Sequence, residues 1–93
     1  MTEIVPTSAF RKAFKRKVRG NKILEARFRD RVAVFQENPF DPRLRTHKIH
    51  RLSAIFGKTI YAVEVGADLR SIFYIEADTV WSIRIGTHDL YEA

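Results

Sequence analysis

The hydrophobic periodicity of this chain changes once, at Asn38-Pro39-Phe40-Asp41-Pro42. Before that point apolar residues recur at helical spacing; after it they alternate. Helices gathered ahead of a run of strands indicate an α+β fold, not a doubly wound parallel sheet. The 93 residues make one domain spanning residues 1–93, with no internal repeat or linker.

The first half opens with a short strand, Glu3-Ile4-Val5, closed by Pro6. Thr7 or Ser8 then offers an N-cap. Phe10, Phe14 and Val18 fall on one helical stripe, flanked by Ala9 and Ala13 and surrounded by Arg11, Lys12, Lys15, Arg16, Lys17 and Arg19. Gly20 is a natural stop and Asn21 a natural cap for a second helix. That helix carries Leu24, Phe28, Val32 and Phe35 on one face. The pair is expected as a helical hairpin lying on a sheet.

Four strands are expected to follow: Thr46–Leu52, Lys58–Val65, Leu69–Glu76 and Thr79–Ile85. Gly66-Ala67-Asp68 and Ala77-Asp78 read as hairpin turns, and links this short imply an antiparallel meander. Strand 69–76 is apolar on both faces, with Leu69, Phe73 and Ile75 opposite Ile72 and Tyr74. In strand 79–85, Trp81, Ile83 and Ile85 stand opposite Val80. A helical hairpin covers one face only, so the other is expected to offer an apolar strip to a partner.

The charge is unevenly placed. Residues 1–51 hold 14 Lys and Arg against 5 Asp and Glu, a balance of +9; residues 52–93 hold 3 against 6, a balance of −3. A basic half of this kind points to a polyanionic partner, nucleic acid or an acidic protein, although a merely solvated basic face gives the same count. With no cysteine, neither a disulfide framework nor a thiolate zinc site can form. The chain has no long apolar run, so neither a signal peptide nor a membrane span is expected, and cysteine usage fits the cytoplasm.

The residues suited to chemistry concentrate in the last quarter. Arg70 and Arg84 stand on neighbouring strands, and Gly86-Thr87-His88 and Tyr91 follow. Arginine, histidine and tyrosine at one end of a sheet can clamp and cleave a phosphodiester without a metal. Each has a plainer reading. Arg70 can pair with Asp68; Arg84, with Ser82 and Val80 on its face, can simply be exposed; His88 can cap a turn; Tyr91 can plug the core. His47 and His50 stand three apart, which on a strand sends them to opposite faces. A two-histidine site with no thiolate is a weak metal signal, and no metal or other cofactor is expected.

The order of elements, with Leu69-Arg70-Ser71-Ile72-Phe73-Tyr74 and Ile85-Gly86-Thr87-His88, resembles the RelE/StbE superfamily of type II toxin–antitoxin toxins. Its Gly-Thr-His tail and Lys-x-His motif look most like the YafQ-like branch, and the resemblance covers nearly the whole chain. It implies a RelE-like fold and a ribosome-dependent mRNA endoribonuclease. The substrate 2′-hydroxyl would attack the adjacent phosphate, giving a 2′,3′-cyclic phosphate and a 5′-hydroxyl. It also implies an acidic antitoxin, the ribosome and mRNA as partners. Carried over by motif, His50 and His88 become proton-transfer candidates and Asp68 a functional acid. Arg70 becomes the clamp on the scissile phosphate, and Tyr91 the aromatic that stacks on or orients a base. Arg84, Lys48, Arg51, Arg11 and Lys15 are the expected RNA- or phosphate-binding cations.

Three departures are visible: the tail around Asp89-Leu90 is one residue shorter than in some relatives, and two concern the strand that carries Tyr61, Val63 and Glu64. RelE itself has lysines on the strand where this chain has Tyr61 and Val63, and the YafQ-like histidine of that strand is also missing. They leave open a ParE-like alternative, in which the same fold inhibits DNA gyrase by binding and cuts nothing.

Overall fold

The computed structural model describes residues 2–66, 68–87 and 90. Strand β1 (Glu3–Pro6) leads into helix α1 (Ser8–Lys17) through Thr7. The Thr7 hydroxyl accepts from the Phe10 N–H at 3.2 Å and donates to the Ile83 carbonyl at 3.1 Å. One side chain thus caps the helix and fastens it to the far end of the chain. Thr7→Val is expected to cost about 1–2 kcal/mol in a urea titration and Thr7→Ser much less, since serine keeps both bonds. Equal losses in the two variants would remove the hydroxyl from the account.

Helix α2 (Lys22–Glu37) starts at Asn21, whose side-chain oxygen accepts from the Leu24 N–H. Gly20, at φ +91°, makes the left-handed bend between the helices. Beyond α2 a single 3₁₀ turn (Pro42–Leu44) is capped by Asp41. The Arg43 guanidinium, and then the Arg43 backbone N–H, hold the Asp41 carboxyl down at about 2. The turn drives Leu44, 1% exposed, into the core beside Phe35, Val63, Phe73 and Val80.

The sheet has five strands in the order β1-β5-β4-β3-β2. They are β2 (His47–Lys48), β3 (Tyr61–Gly66), β4 (Leu69–Glu76) and β5 (Thr79–Gly86), with β1 parallel to β5 and every other pair antiparallel. The β4–β5 turn uses Ala77 and Asp78 at φ 52° and 64°, the paired left-handed conformation that matches strand twist. Helices α1 and α2 lie on one face. Phe10, Ala13 and Val18 of the α1 segment pack on Val65, Leu69 and Ile85, with Phe14, Leu24 and Phe28 around them.

Two expectations fail here. The strand expected at Thr46–Leu52 is only two residues of β2, and His50–Phe56 is a third helix, α3. Ile49, Leu52, Ser53 and Phe56 have helical spacing, and Gly57 at φ 68° ends the turn. The Ser53 hydroxyl donates to the Ile49 carbonyl and accepts from the Ile60 N–H, both at 2.8 Å, locking α3 to the entrance of β3.

The second failure follows from the first. Leu52 of α3, with Ile49 and Leu90, packs on Ile60, Ala62, Ile72 and Ile83. The middle of the second sheet face, expected to present an open apolar strip, is therefore covered by the chain's own residues: Ile72 is 1% exposed, while Tyr74 and Trp81 are half-buried. The partner contact expected along the whole strip loses most of its basis.

A bulge in β5 also changes which residues share a face. Ile72 pairs with Arg84 but Phe73 pairs with Ser82, so Ile83 is an extra residue. Parity flips across it. Ile85 lies with Val80 and Ser82 on the hairpin face, not opposite Val80, and Arg84 moves to the face of Ile72. Among the described residues, no helix is long and apolar enough to cross a membrane.

Candidate anion site on the α3 face

The bulge brings two arginines together. Arg70 pairs with Gly86 and Arg84 with Ile72, so the two are diagonal neighbours on one face of β4 and β5, roughly 7–8 Å apart. The Arg70 guanidinium donates to the Asp68 backbone carbonyl at 3.0 Å. Asp68 thus holds Arg70 through its main chain, not through the carboxylate pairing that the sequence suggested. Among the described residues neither Arg70 nor Arg84 takes part in an ion pair. Arg70 is half-buried and Arg84 exposed. A guanidinium carries five donors, so most of this pair's hydrogen-bonding capacity remains for a ligand.

A carboxylate that sequence reading placed only near the missing strand histidine also faces this pair. Glu64 of β3 is the direct cross-strand partner of Arg70, and its carboxylate lies 3.9 Å from the Arg45 guanidinium. Its signal was the alternation of β3, which puts Ala62 and Glu64 on the face opposite Val63 and Val65. Arg45 adopts the left-handed conformation, φ 51°, just before β2. His47 follows on the same face, opposite Ala62, with its Nδ1 at 2.9 Å from the Arg45 carbonyl.

The remaining sequence candidates divide. His50 and Arg51 are exposed at the start of α3, so His50 stands on a helix and not on the expected strand. Lys48 pairs with Tyr61, whose ring stacks on Phe73. Its register position is therefore on the hairpin face, away from Arg70. Arg11 and Lys15 are exposed on α1, also across the sheet from the arginine pair. His88 and Tyr91 lie outside the described residues. Of their neighbours, Leu90 donates its N–H to the Thr87 carbonyl and packs on Gly86, where an added Cβ would meet Leu90 Cδ2 at 3.1 Å. Gly86 is the residue opposite Arg70, so the turn leaving β5 starts beside the clamp. No three His, Asp or Glu among the described residues are grouped to hold a metal ion.

Solved structures share the fold of this chain. A copper-bound mutant toxin from Helicobacter pylori superposes with a TM-score of 0.67 at 14% identity, covering 97% of this chain and 98% of that one. The conserved hypothetical protein HP0894 of the same organism gives 0.64 at 16% identity over 96% and 97% of the two chains. A second, HP0892, gives 0.51 at 18% identity over 96% and 97%. The fold is RelE-like. No protein-family model and no curated protein matches the sequence.

Proposed function

We propose that this chain is the toxin of a type II toxin–antitoxin pair and a metal-independent, ribosome-dependent mRNA endoribonuclease. The observation that carries the reading is the Arg70–Arg84 pair on one face of the sheet, without an ion-pair partner among the described residues. Two guanidinium groups from diagonal positions on one sheet face would reach the non-bridging oxygens of one phosphodiester, and they would stabilise the extra charge of a pentavalent phosphorane.

The chemistry needs no nucleophile from the protein. The substrate 2′-oxygen bonds to phosphorus as the bond to the 5′-oxygen breaks. One base takes the 2′-proton and one acid protonates the leaving oxygen. His88 and His50 are the proposed pair, with Asp68 as the alternative acid; histidine is the side chain whose unperturbed pKa suits both tasks near neutrality. Tyr91 would orient a base. Lys48, Arg51, Arg11 and Lys15 lie outside the clamp, and their role is to hold ribosomal RNA or mRNA backbone. The partners are an acidic antitoxin, the ribosome and mRNA, in the cytoplasm.

The test is induced expression followed by primer-extension mapping of cellular mRNA, then cleavage on purified programmed ribosomes. Growth arrest is expected with in-frame cuts bearing 5′-hydroxyl and cyclic-phosphate ends, unchanged by chelator. His88→Ala is expected to slow single-turnover cleavage by about 10²–10⁴-fold, and His50→Ala by as much or less. Full cleavage by the double variant would remove both histidines from the mechanism. Growth arrest with intact mRNA and inhibited supercoiling would move the protein to the gyrase-inhibiting class.

A further inference from the structure

The α1–α2 hairpin packs on the sheet through Phe10, Ala13 and Val18. Beside that contact lies a cavity of about 520 Å³, open to solvent, whose lining includes Phe10, Phe14, Phe28, Val32 and Val65. Space of this size lined by aromatic and aliphatic side chains is what a small organic ligand occupies, ~300–1,000 Å³.

Two features say which ligand. Ser71 and Ser82 line the cavity and are 7% and 8% exposed, and neither hydroxyl has a hydrogen-bond partner among the described residues. A buried hydroxyl without a partner costs about 1–3 kcal/mol, so a polar group reaching them would be favoured. The lining also includes Arg11 and Lys15 of α1 and Arg19 just beyond its C-terminal end, all three exposed. None of the three joins an ion pair among the described residues.

We propose that this cavity is a binding site for an amphipathic organic anion: a carboxylate head at the rim, an aliphatic body between the phenylalanines, and a hydroxyl or carbonyl at the far end meeting Ser71 and Ser82. The site lies on the opposite side of the sheet from Arg70; it shares Arg11 and Lys15 with the proposed RNA-binding surface, and its test reads ligand binding, not cleavage.

Titration calorimetry and amide NMR on the purified chain test it, with 10-hydroxydecanoate and decanoate as probes. Both are expected to bind with shifts confined to α1, α2 and the hairpin face of the sheet. The hydroxylated acid should bind about 2–10-fold more tightly, the worth of one hydrogen bond. Ser71→Ala/Ser82→Ala should erase that preference and leave decanoate bound. Lys15→Glu should weaken both acids, and Val32→Trp, which fills the space, should abolish both. The NMR map of the unaltered protein keeps the test decisive if Val32→Trp fails to fold. Absence of binding by either acid, or shifts falling on the α3 face, overturns the proposal. So does binding of an acidic helical peptide to these residues where the acids do not bind.

Discussion

Replacing Arg70 with alanine is expected to abolish growth inhibition and to lower single-turnover RNA cleavage by about 10²–10³-fold, the scale for deleting one donor to a developing anion. The protein should stay folded. The one side-chain hydrogen bond Arg70 makes among the described residues is to the Asp68 carbonyl, worth about 0.5–1.5 kcal/mol. Arg70→Lys should recover only part of the rate, because an ammonium supplies charge without a planar fork. Arg84→Ala should give a smaller loss, since Arg84 is exposed and lacks the tether that holds Arg70. Thermal melting and cleavage measured on the same preparations separate folding from chemistry. Undiminished toxicity of Arg70→Ala at equal expression would end the assignment of the clamp.

The largest stability effect is expected at Phe73. Its ring is 1% exposed, edge-on to Phe35 at 5.0 Å and stacked with Tyr61 at 5.5 Å. It is where α2, β3 and β4 meet. Phe73→Ala should cost about 3–5 kcal/mol through lost transfer energy and an unfilled space. A domain of this size loses roughly 4–8 °C of Tm per kcal/mol, so melting should fall by at least ~12 °C. Phe73→Leu should keep most of the volume and lose far less. A melting point for Phe73→Ala within a few degrees of the unaltered protein would mean that the cluster collapses to refill the gap.

Local signals account for what was legible in advance. Helices α1 and α2 announce themselves because their apolar stripes run for several turns and begin at capping residues, Thr7 and Asn21. Strands β4 and β5 start where alternation and the Ala77-Asp78 turn place them. Helix α3 was missed because it is seven residues long and two of its apolar side chains, Ile55 and Phe56, face solvent. A stripe that short imitates a strand, and the missing helix left the second sheet face looking bare.

The bulge is a different kind of failure. Nothing in the order Ser82-Ile83-Arg84-Ile85 marks Ile83 as the extra residue; that is settled by how β5 pairs with β4. The face of Arg70 was read correctly because its strand keeps even parity to Ile72. Arg84 and Ile85 were placed on the wrong faces because parity beyond Ile83 depends on the partner strand. Glu64 went unweighted for a related reason: its value comes from standing opposite Arg70 across the ladder, a relation between strands.

The parallel pairing of β1 with β5 governs when this molecule can assemble. Thr7 bonds to Ile83 across 76 residues of chain, and α1 packs on β5. At about 5–20 residues per second, a ribosome needs roughly 4–15 s to travel from one to the other. Throughout that interval the first strand has no neighbour and Phe10 and Phe14 have no floor. The Arg70–Arg84 pair does not yet exist. Long-range closure of this kind is slow compared with local helix formation. The growing polypeptide therefore spends its synthesis as a basic, partly helical chain with exposed phenylalanines, open to chaperones and to any acidic protein made nearby. The anion site comes into being only with the last strand.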